Sequence, residues 1–551
     1  MSVRRVMGTE TEYAVSCPAD PHANTVRLSS AVVSGAADPR TSHIRWDYRQ
    51  EDPVNDARGH RLPRSQARPD MLTDAPQLQI TNVMAPNGGR IYVDHAHPEY
   101  SAPETLDPFE AVRYDRAGDV LMLHAADAAS RRAGTRIALH RNNADGKGAS
   151  WGTHENYMMR RSVPFDLVAS LLTAHFISRQ IYVGSGRVGL GESSETPGFQ
   201  LSQRADFIHV PIGLQTTFDR PIINTRDEPH SGPAFRRVHG IVGDANRMDV
   251  PQTLKLGTTS MVLWLLEAGQ EHGIDLAGLF GQLMLEDSVA SMHVVSHDLG
   301  LGSELRLEGG GTTTAWLMQV ELMKAVQTMG ARIYDTDSRG EPQWPDDATR
   351  RVMAMWRGAL KDVATIRHAD DQTRLHLTDE ASRVEWLLKW QLMERLRRRL
   401  GTSWGDMRLA ACDLRWAALD PQESIFPTVQ GRTQRLCDDA RLREACSQAP
   451  EGTRAWCRAE LLHRVPERLV AMSWSHVTLR DETADRGMVT VDMSDPLGYT
   501  RVLCTEDDIR DGSGARDGCD VRDGCDAPAR DDRDARGDDV MPLVRDIVRR
   551  R

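Results

Sequence analysis

Alternation of apolar and polar residues dominates the first part of the chain, and helical spacing takes over later. Strand-like runs at 3–15, 90–94, 136–141, 179–183 and 207–211 predict strands. Helical spacing predicts helices over 107–134, 164–177 and 251–269 among those strands. Beyond them it predicts helices over 313–330, 346–366 and 380–400. Asp107 offers an N-cap, with Pro108 at the first helical position. The stretch 380–400 ends LRRRLG, placing arginines in the last turn and Gly401 at the C-cap. The segments 164–177 and 251–269 are apolar enough to be buried helices. Early strands and late helices predict an α+β fold rather than a doubly wound sheet.

Two regions escape this pattern. Residues 35–87 are rich in Asp, Arg and Pro, centred on RWDYRQEDPVNDARGHRLPRSQARPD. A polar loop of that length in a compact domain is usually functional or disordered. Residues 506–539 repeat RDG three times and hold 13 acidic side chains against 6 arginines. Their composition predicts a disordered acidic tail. The closing MPLVRDIVRRR reads as a short helix or as nothing ordered.

Composition narrows the classes. The 551 residues suffice for a large core and more than one domain. At 40% hydrophobic and 27% charged the chain reads as globular. A net charge of −11, much of it in the tail, argues against a general nucleic-acid binder. No apolar run reaches the ~20 residues of a membrane helix, and MSVRRVMGTETEY lacks an apolar signal core. The eight cysteines form no CxxC and are too sparse for a disulfide scaffold. A cytoplasmic location is the expectation.

The chemistry concentrates in GGRIYVDHAHPEYSAPE, residues 88–104. Arg90, Tyr92 and Asp94 share one strand face there. Pro98 is expected to break that strand and leave Glu99 at its end or in the following loop. Near the start, Glu10 and Glu12 share a face of a strand-like run, where paired carboxylates repel unless a cation or a shared proton lies between them. Further polar clusters occupy 141–157, 200–207, 223–230 and 236–246. Many oxygen ligands, few histidines and several arginines suit Mg²⁺ with phosphate better than zinc.

Other motifs are weaker. GSGRVG (184–189) fits a dinucleotide fingerprint in spacing, but LGESSETPGF after it cannot open a helix. A backbone-rich loop near a ligand is the better reading. HENYM (154–158) fails as a zinc-protease motif at Met158, yet His154 beside Asn156 is a plausible ligand. His95 and His97 lack a third soft ligand and suit hydrogen-bonding roles. Arg204, Arg226 and Arg237, with Arg90, fit phosphate or carboxylate clamping. Trp474 lies among apolar residues and by itself reads as core.

Together these motifs resemble the Pup ligase/depupylase family, relatives of glutamine synthetase among the carboxylate–amine ligases. The resemblance spans roughly residues 3–500 and is carried by GTETEY, GGRIYVDHAHPEYSAPE, NNADGKGASWGTHENY, FQLSQRADF, PIINTRDEPH and HGIVGDAN. The 35–87 insertion and the HAHPEYS context resemble the depupylase branch. The resemblance implies an antiparallel concave sheet within a catalytic domain over 1–404. A small C-terminal domain over 405–505 and the tail over 506–551 would follow. It implies Glu10, Tyr92, Glu99, His154 and His239 at the Mg²⁺ sites, and Asp94 as nucleophile or general base. Arg90, Ala102, Asn156 and Trp474 would contact ATP, or ADP with phosphate. Arg204 and Arg226 would hold the C-terminal glutamate of Pup. The acidic tail has no counterpart in the family pattern.

The implied activity is hydrolysis of the isopeptide bond between Pup and a substrate lysine, with deamidation of a Pup C-terminal glutamine. Pup, pupylated proteins and a bacterial proteasome pathway are the implied partners. The alternatives are the ATP-consuming Pup ligase, an idle Pup-binding protein and, more distantly, a small-molecule carboxylate–amine ligase.

Overall fold

The structure, a computed structural model, describes residues 2–67, 81–481, 484 and 487–501. The acidic tail and residues 68–80 of the polar loop lie outside the described residues.

Six strands form the central sheet: β1 (Met7–Glu12), β2 (Asn82–Met84), β3 (Arg90–Asp94), β4 (His97–Ser101), β5 (Thr153–Arg160) and β6 (Phe235–Gly240). Their order is β6-β5-β1-β4-β3-β2, and every neighbouring pair is antiparallel. Helices α1 (Thr25–Gly35), α2 (Pro108–Ala133), α3 (Phe165–Ser178) and α4 (Asp249–Glu271) cover the back of this sheet. Further out lie α5 (Ala315–Ile333), α6 (Asp347–His368) and α7 (Glu385–Leu400). The α+β expectation holds.

Local chemistry explains the best-defined boundaries. Asp107 caps α2 by accepting from the amides of Phe109 and Glu110 at 2.9 and 3.0 Å. Gly134 closes the helix at φ 65°. Gly118 on α2 lies against the Tyr100 ring, where an added Cβ would come within 2.1 Å. That close approach seats α2 on the sheet. Helix α4 is buried along almost its whole length, as its apolar sequence predicts.

Several elements differ from expectation. Pro98 does not end the strand system. It stands second in β4, where its carbonyl accepts from Tyr13 N at 3.0 Å, and Glu99 lies inside the sheet. The strand-like 179–183 is a helical turn, Gln180–Val183, because the ladder of α3 continues into it through Arg179 N to His175 O. The strand expected at 3–15 divides at Tyr13, that at 136–141 shortens to Ala138–His140, and Val210–Gly213 replaces 207–211. The helix expected over 380–400 breaks at Ser382–Val384, where Arg383 bonds both Asp362 and Asp379. The polar loop contains real structure: β2 lies inside it, and its Arg45–Trp46 pairs in parallel with Ala471–Met472.

The C-terminal sheet holds β7 (Leu469–Met472), β8 (His476–Arg480) and β9 (Met488–Asp492), with α8 (Ala455–Arg464) packed beside it. Its own apolar core includes Leu461, Leu469, Val477 and Val491. Residues 405–430, expected in this unit, instead pack Leu409, Trp416, Phe426 and Val429 into the main core. Two buried arginines, Arg454 and Arg458, tie the unit to Glu104 beside the central sheet. Among the described residues no helix is long and apolar enough to cross a membrane.

Candidate active site

Strand alternation builds the site. On β1, Thr9 and Thr11 turn backward, and both hydroxyls reach Asp115 of α2. Gly8, Glu10 and Glu12 therefore share the front face. On β5, Glu155 turns back to pair with Arg179, which leaves His154 and Asn156 in front. The same logic brings forward Arg237 and His239 on β6, Glu99 and Ser101 on β4, and Arg90, Tyr92 and Asp94 on β3. Register aligns them across the sheet. Glu10 lies opposite His154 and Ser101, Glu12 opposite Glu99, and Glu99 opposite Tyr92. Asn156 lies opposite His239.

The front face floors a cleft of about 710 Å³. Glu10, His154 and His239 bring three ligand atoms within 4.8 Å of one another. His154 Nδ1 is 3.3 Å and His239 Nε2 3.5 Å from Glu10 Oε2. Neither ring nitrogen of the buried His239 has a hydrogen-bond partner in good geometry. Burial opposes ionisation of Glu10, but the two imidazoles and Arg237 hold its carboxyl well below the ordinary range. Burial and the Arg237 charge push His239 down to about 3, which leaves its ring neutral. A carboxylate between two imidazoles, with both ring nitrogens of His239 left unsatisfied, suits a divalent cation.

Further along the face are Glu12, Glu99, Tyr92 and Asp94. Burial, then the Asp94 charge, raises Glu12 to about 7. Burial and the neighbouring carboxylates raise Glu99 well above its usual value. Asp94 behaves oppositely: burial resists, yet the hydrogen bond and charge of His95 hold it at about 2. It ends β3 as an ionised carboxylate at the cleft. Tyr92 places its hydroxyl 3.3 Å from Ser101 Oγ and near Glu99, and burial keeps it protonated.

A smaller cavity of about 90 Å³ adjoins the Glu10 end. Gly8, Ala102, Asn156, His230, Arg237 and Trp474 line it. Buried nitrogens without partners gather here: Nε of Arg237 and Nδ1 of His230, with Nε of Arg226 in the adjoining cleft. Unsatisfied donors around a cavity fit an anionic ligand. Trp474 is not core; it meets Trp46 edge-on at 5.3 Å and touches both cavities. Arg90 is sandwiched between Trp46 and Tyr92, at 3.9 and 4.0 Å, and bonded to Asn82.

The two expected Pup-binding arginines differ. Arg226 faces the cleft with Glu228 3.9 Å away, and its charge also reaches Asp94. Arg204 lines the wall, but its terminal nitrogens are taken by Ser150 Oγ and the carbonyls of Trp151 and Ile241. It braces the wall, as does Arg220, whose Nε and one terminal nitrogen donate to the carbonyls of Thr216 and Ser150. GSGRVG lies away from the cleft, its Arg187 bonded to Gly189 O and Asp206. Glu12, Glu228 and His230 join the site without having been assigned a role. Glu12 carried a signal in the alternation of TETE; Glu228 and His230, the latter at φ 48°, lay in the polar cluster 223–230 but were not singled out there.

The family model described as Pup-ligase protein matches residues 5–478. The chain is 40% identical to a depupylase of Acidothermus cellulolyticus, covering 91% of this chain and 95% of that protein. It is 40% identical to a Pup deamidase/depupylase of Mycobacterium tuberculosis, covering 86% and 91%. Among solved structures, the complex of Pup with its ligase PafA matches with a TM-score of 0.71 at 25% identity over 90% of this chain and 89% of that one. PafA in complex with ADP matches with a TM-score of 0.65 at 27% identity over 76% and 87%. On its motifs, its sheet and these relatives, the chain belongs to the Pup-ligase family.

Proposed function

We propose that this protein is a depupylase, cleaving the isopeptide bond between the C-terminal glutamate of Pup and a substrate lysine, and deamidating a C-terminal glutamine of Pup. The observation that carries the reading is Asp94, an ionised carboxylate at the end of β3, beside a row of cation-suited side chains. The higher identity to depupylases than to the solved ligase favours hydrolysis over ligation.

Asp94 would act on the scissile carbonyl as nucleophile or as base for water. Glu10, His154 and His239, with Glu99, Tyr92 and Glu12, would hold Mg²⁺. A bound cation there supplies positive charge for the developing oxyanion. Ala102, Asn156, Trp474 and Arg90 would contact ATP, or ADP with phosphate, kept as a cofactor. Arg226 would receive the Pup glutamate carboxylate. The 35–67 segment, through Trp46 and Glu51 against Arg90, would sense the nucleotide end of the cleft. The cytoplasm and a bacterial proteasome pathway are the proposed setting.

The test is incubation of the purified protein with a pupylated substrate, Mg²⁺ and either ATP or a non-hydrolysable analogue. Release of Pup with both nucleotides is expected. Conjugation of free Pup with ATP alone would identify a ligase instead.

A further inference from the structure

The turn between β3 and β4 is made by His95 and Ala96. His95 has φ 51°, in the left-handed region. Tight hairpin turns fill such positions with glycine, asparagine or aspartate, because a larger side chain crowds the backbone there. An imidazole at this point carries a local conformational cost, and such costs gather at functional sites.

Each ring nitrogen has a partner. Nδ1 lies 3.0 Å from Asp94 Oδ2, and Nε2 lies 3.3 Å from Thr217 Oγ1. A carboxylate only accepts, so Nδ1 carries a proton and donates. In the neutral ring Nε2 then accepts from the Thr217 hydroxyl. Thr217 lines the cleft with Thr216 and Arg220. Thr217, His95 and Asp94 thus form a chain from the cleft wall to the reacting carboxylate. The ring is about one-third exposed, so it is not filling a core.

We propose that His95 is a positioning residue: its ring, steadied by Thr217, holds Asp94 Oδ2 and so sets the orientation of the carboxylate, which also meets Glu12, toward the scissile amide. The inference rests on the assignment of Asp94 as the reacting group. It also accounts for a histidine where the turn alone would be better made by glycine.

The experiment compares wild type, His95→Gly, His95→Asn and Thr217→Val. Each is measured for kcat and KM on a pupylated substrate, for Tm without metal, and for the Tm rise on adding Mg²⁺. Asparagine tolerates the left-handed backbone and can present an amide donor near the Nδ1 position. For His95→Gly the expectation is an unchanged or raised Tm, an intact Mg²⁺ response, KM within about twofold, and kcat lower by roughly 10- to 100-fold. His95→Asn should recover most of that loss, and Thr217→Val should fall between. Wild-type kcat in His95→Gly would overturn the inference, as would an Asn variant no better than Gly. A lowered Tm would overturn it in favour of a structural role, and a lost Mg²⁺ response in favour of a metal ligand. A wild-type protein that releases no Pup would overturn the depupylase reading itself, and this inference with it.

Discussion

Glu12 on β1 and Glu99 on β4 are buried directly opposite one another. Like charges so placed repel; burial and then the Asp94 charge push both carboxyls up, and the Glu12 charge adds to the rise of Glu99. Mg²⁺ between or beside them would relieve the repulsion. Without metal, Glu99→Gln should therefore stabilise the fold by about 1 kcal/mol. Wild type should gain about 2.7 kcal/mol at Mg²⁺ near 100 times its Kd, and Glu99→Gln much less. Thermal melts with EDTA and with Mg²⁺ decide this; equal Mg²⁺ gains in both proteins would remove Glu99 from the metal set.

Asp94→Asn keeps the shape of the side chain and removes the negative charge. Pup release should fall by roughly 10²- to 10⁴-fold while Tm changes little. Normal isopeptidase activity in this variant would refute the role given to Asp94.

Gly8 is the one front-face position on β1 without a side chain. A Cβ added there meets nothing closer than 3.7 Å, so the backbone tolerates one. The cavity it would enter is the one lined by Ala102, Asn156 and Trp474. Gly8→Val should weaken ATP binding about tenfold or more, the loss expected when a small pocket is filled, with the apo melt unchanged. Isothermal titration checks it, and unchanged affinity would move the nucleotide elsewhere.

Glu104 couples the C-terminal unit to the central sheet through Arg454 and Arg458. Burial opposes its ionisation, but the two guanidiniums hold its pKa at about 2. Its contribution to stability is therefore full above the ordinary carboxylate value, and fades as pH falls from about 4.5 toward 2. Glu104→Gln should cost about 3 kcal/mol near pH 7 by leaving two buried arginines underpaired. The difference from wild type should shrink in acid. Urea midpoints at pH 7 and pH 3.5 measure it; a pH-independent gap would contradict the pairing.

The segment joining α1 to β2 touches the site through Trp46, Tyr48 and Glu51. Replacing residues 40–78 by a short Gly/Ser linker spares β2. The catalytic rate or its nucleotide dependence should change, while the cooperative melt persists. Unaltered kinetics would leave the segment without a role in catalysis.

Features set by short-range chemistry were legible in the sequence. Asp107 and Pro108 marked the start of α2, Gly401 the end of α7, and alternation put Arg90, Tyr92 and Asp94 on one face. Features set by long-range packing were not. Pro98 looked like a strand breaker because nothing local shows that Tyr13 would use its carbonyl. Residues 179–183 looked like a strand, since β-rich composition does not reveal that α3 runs straight into them. Arg204 looked like a clamp because the two carbonyls that occupy it come from distant loops. The residues expected at the Mg²⁺ sites came from the resemblance, and the structure brings ligand atoms of three of them, Glu10, His154 and His239, within 4.8 Å of one another. Glu12 was weighed as half of a pair but assigned no role, since its partner Glu99 is 87 residues away in sequence and meets it only through sheet register.

Register also makes the centre all-or-none. Every candidate ligand of the front face has a backward-facing neighbour on its own strand: Thr9 and Thr11 beside Glu10, Glu155 beside His154, Val238 beside His239. Sliding β1 by one residue would exchange two carboxylates for two threonines and send the acids into the packed side of the sheet. A chain with one misaligned strand would thus hold no cation and cut nothing. A hydrolase built this way is safe while unfinished: it gains the means to break amide bonds only when its last strand has settled into frame.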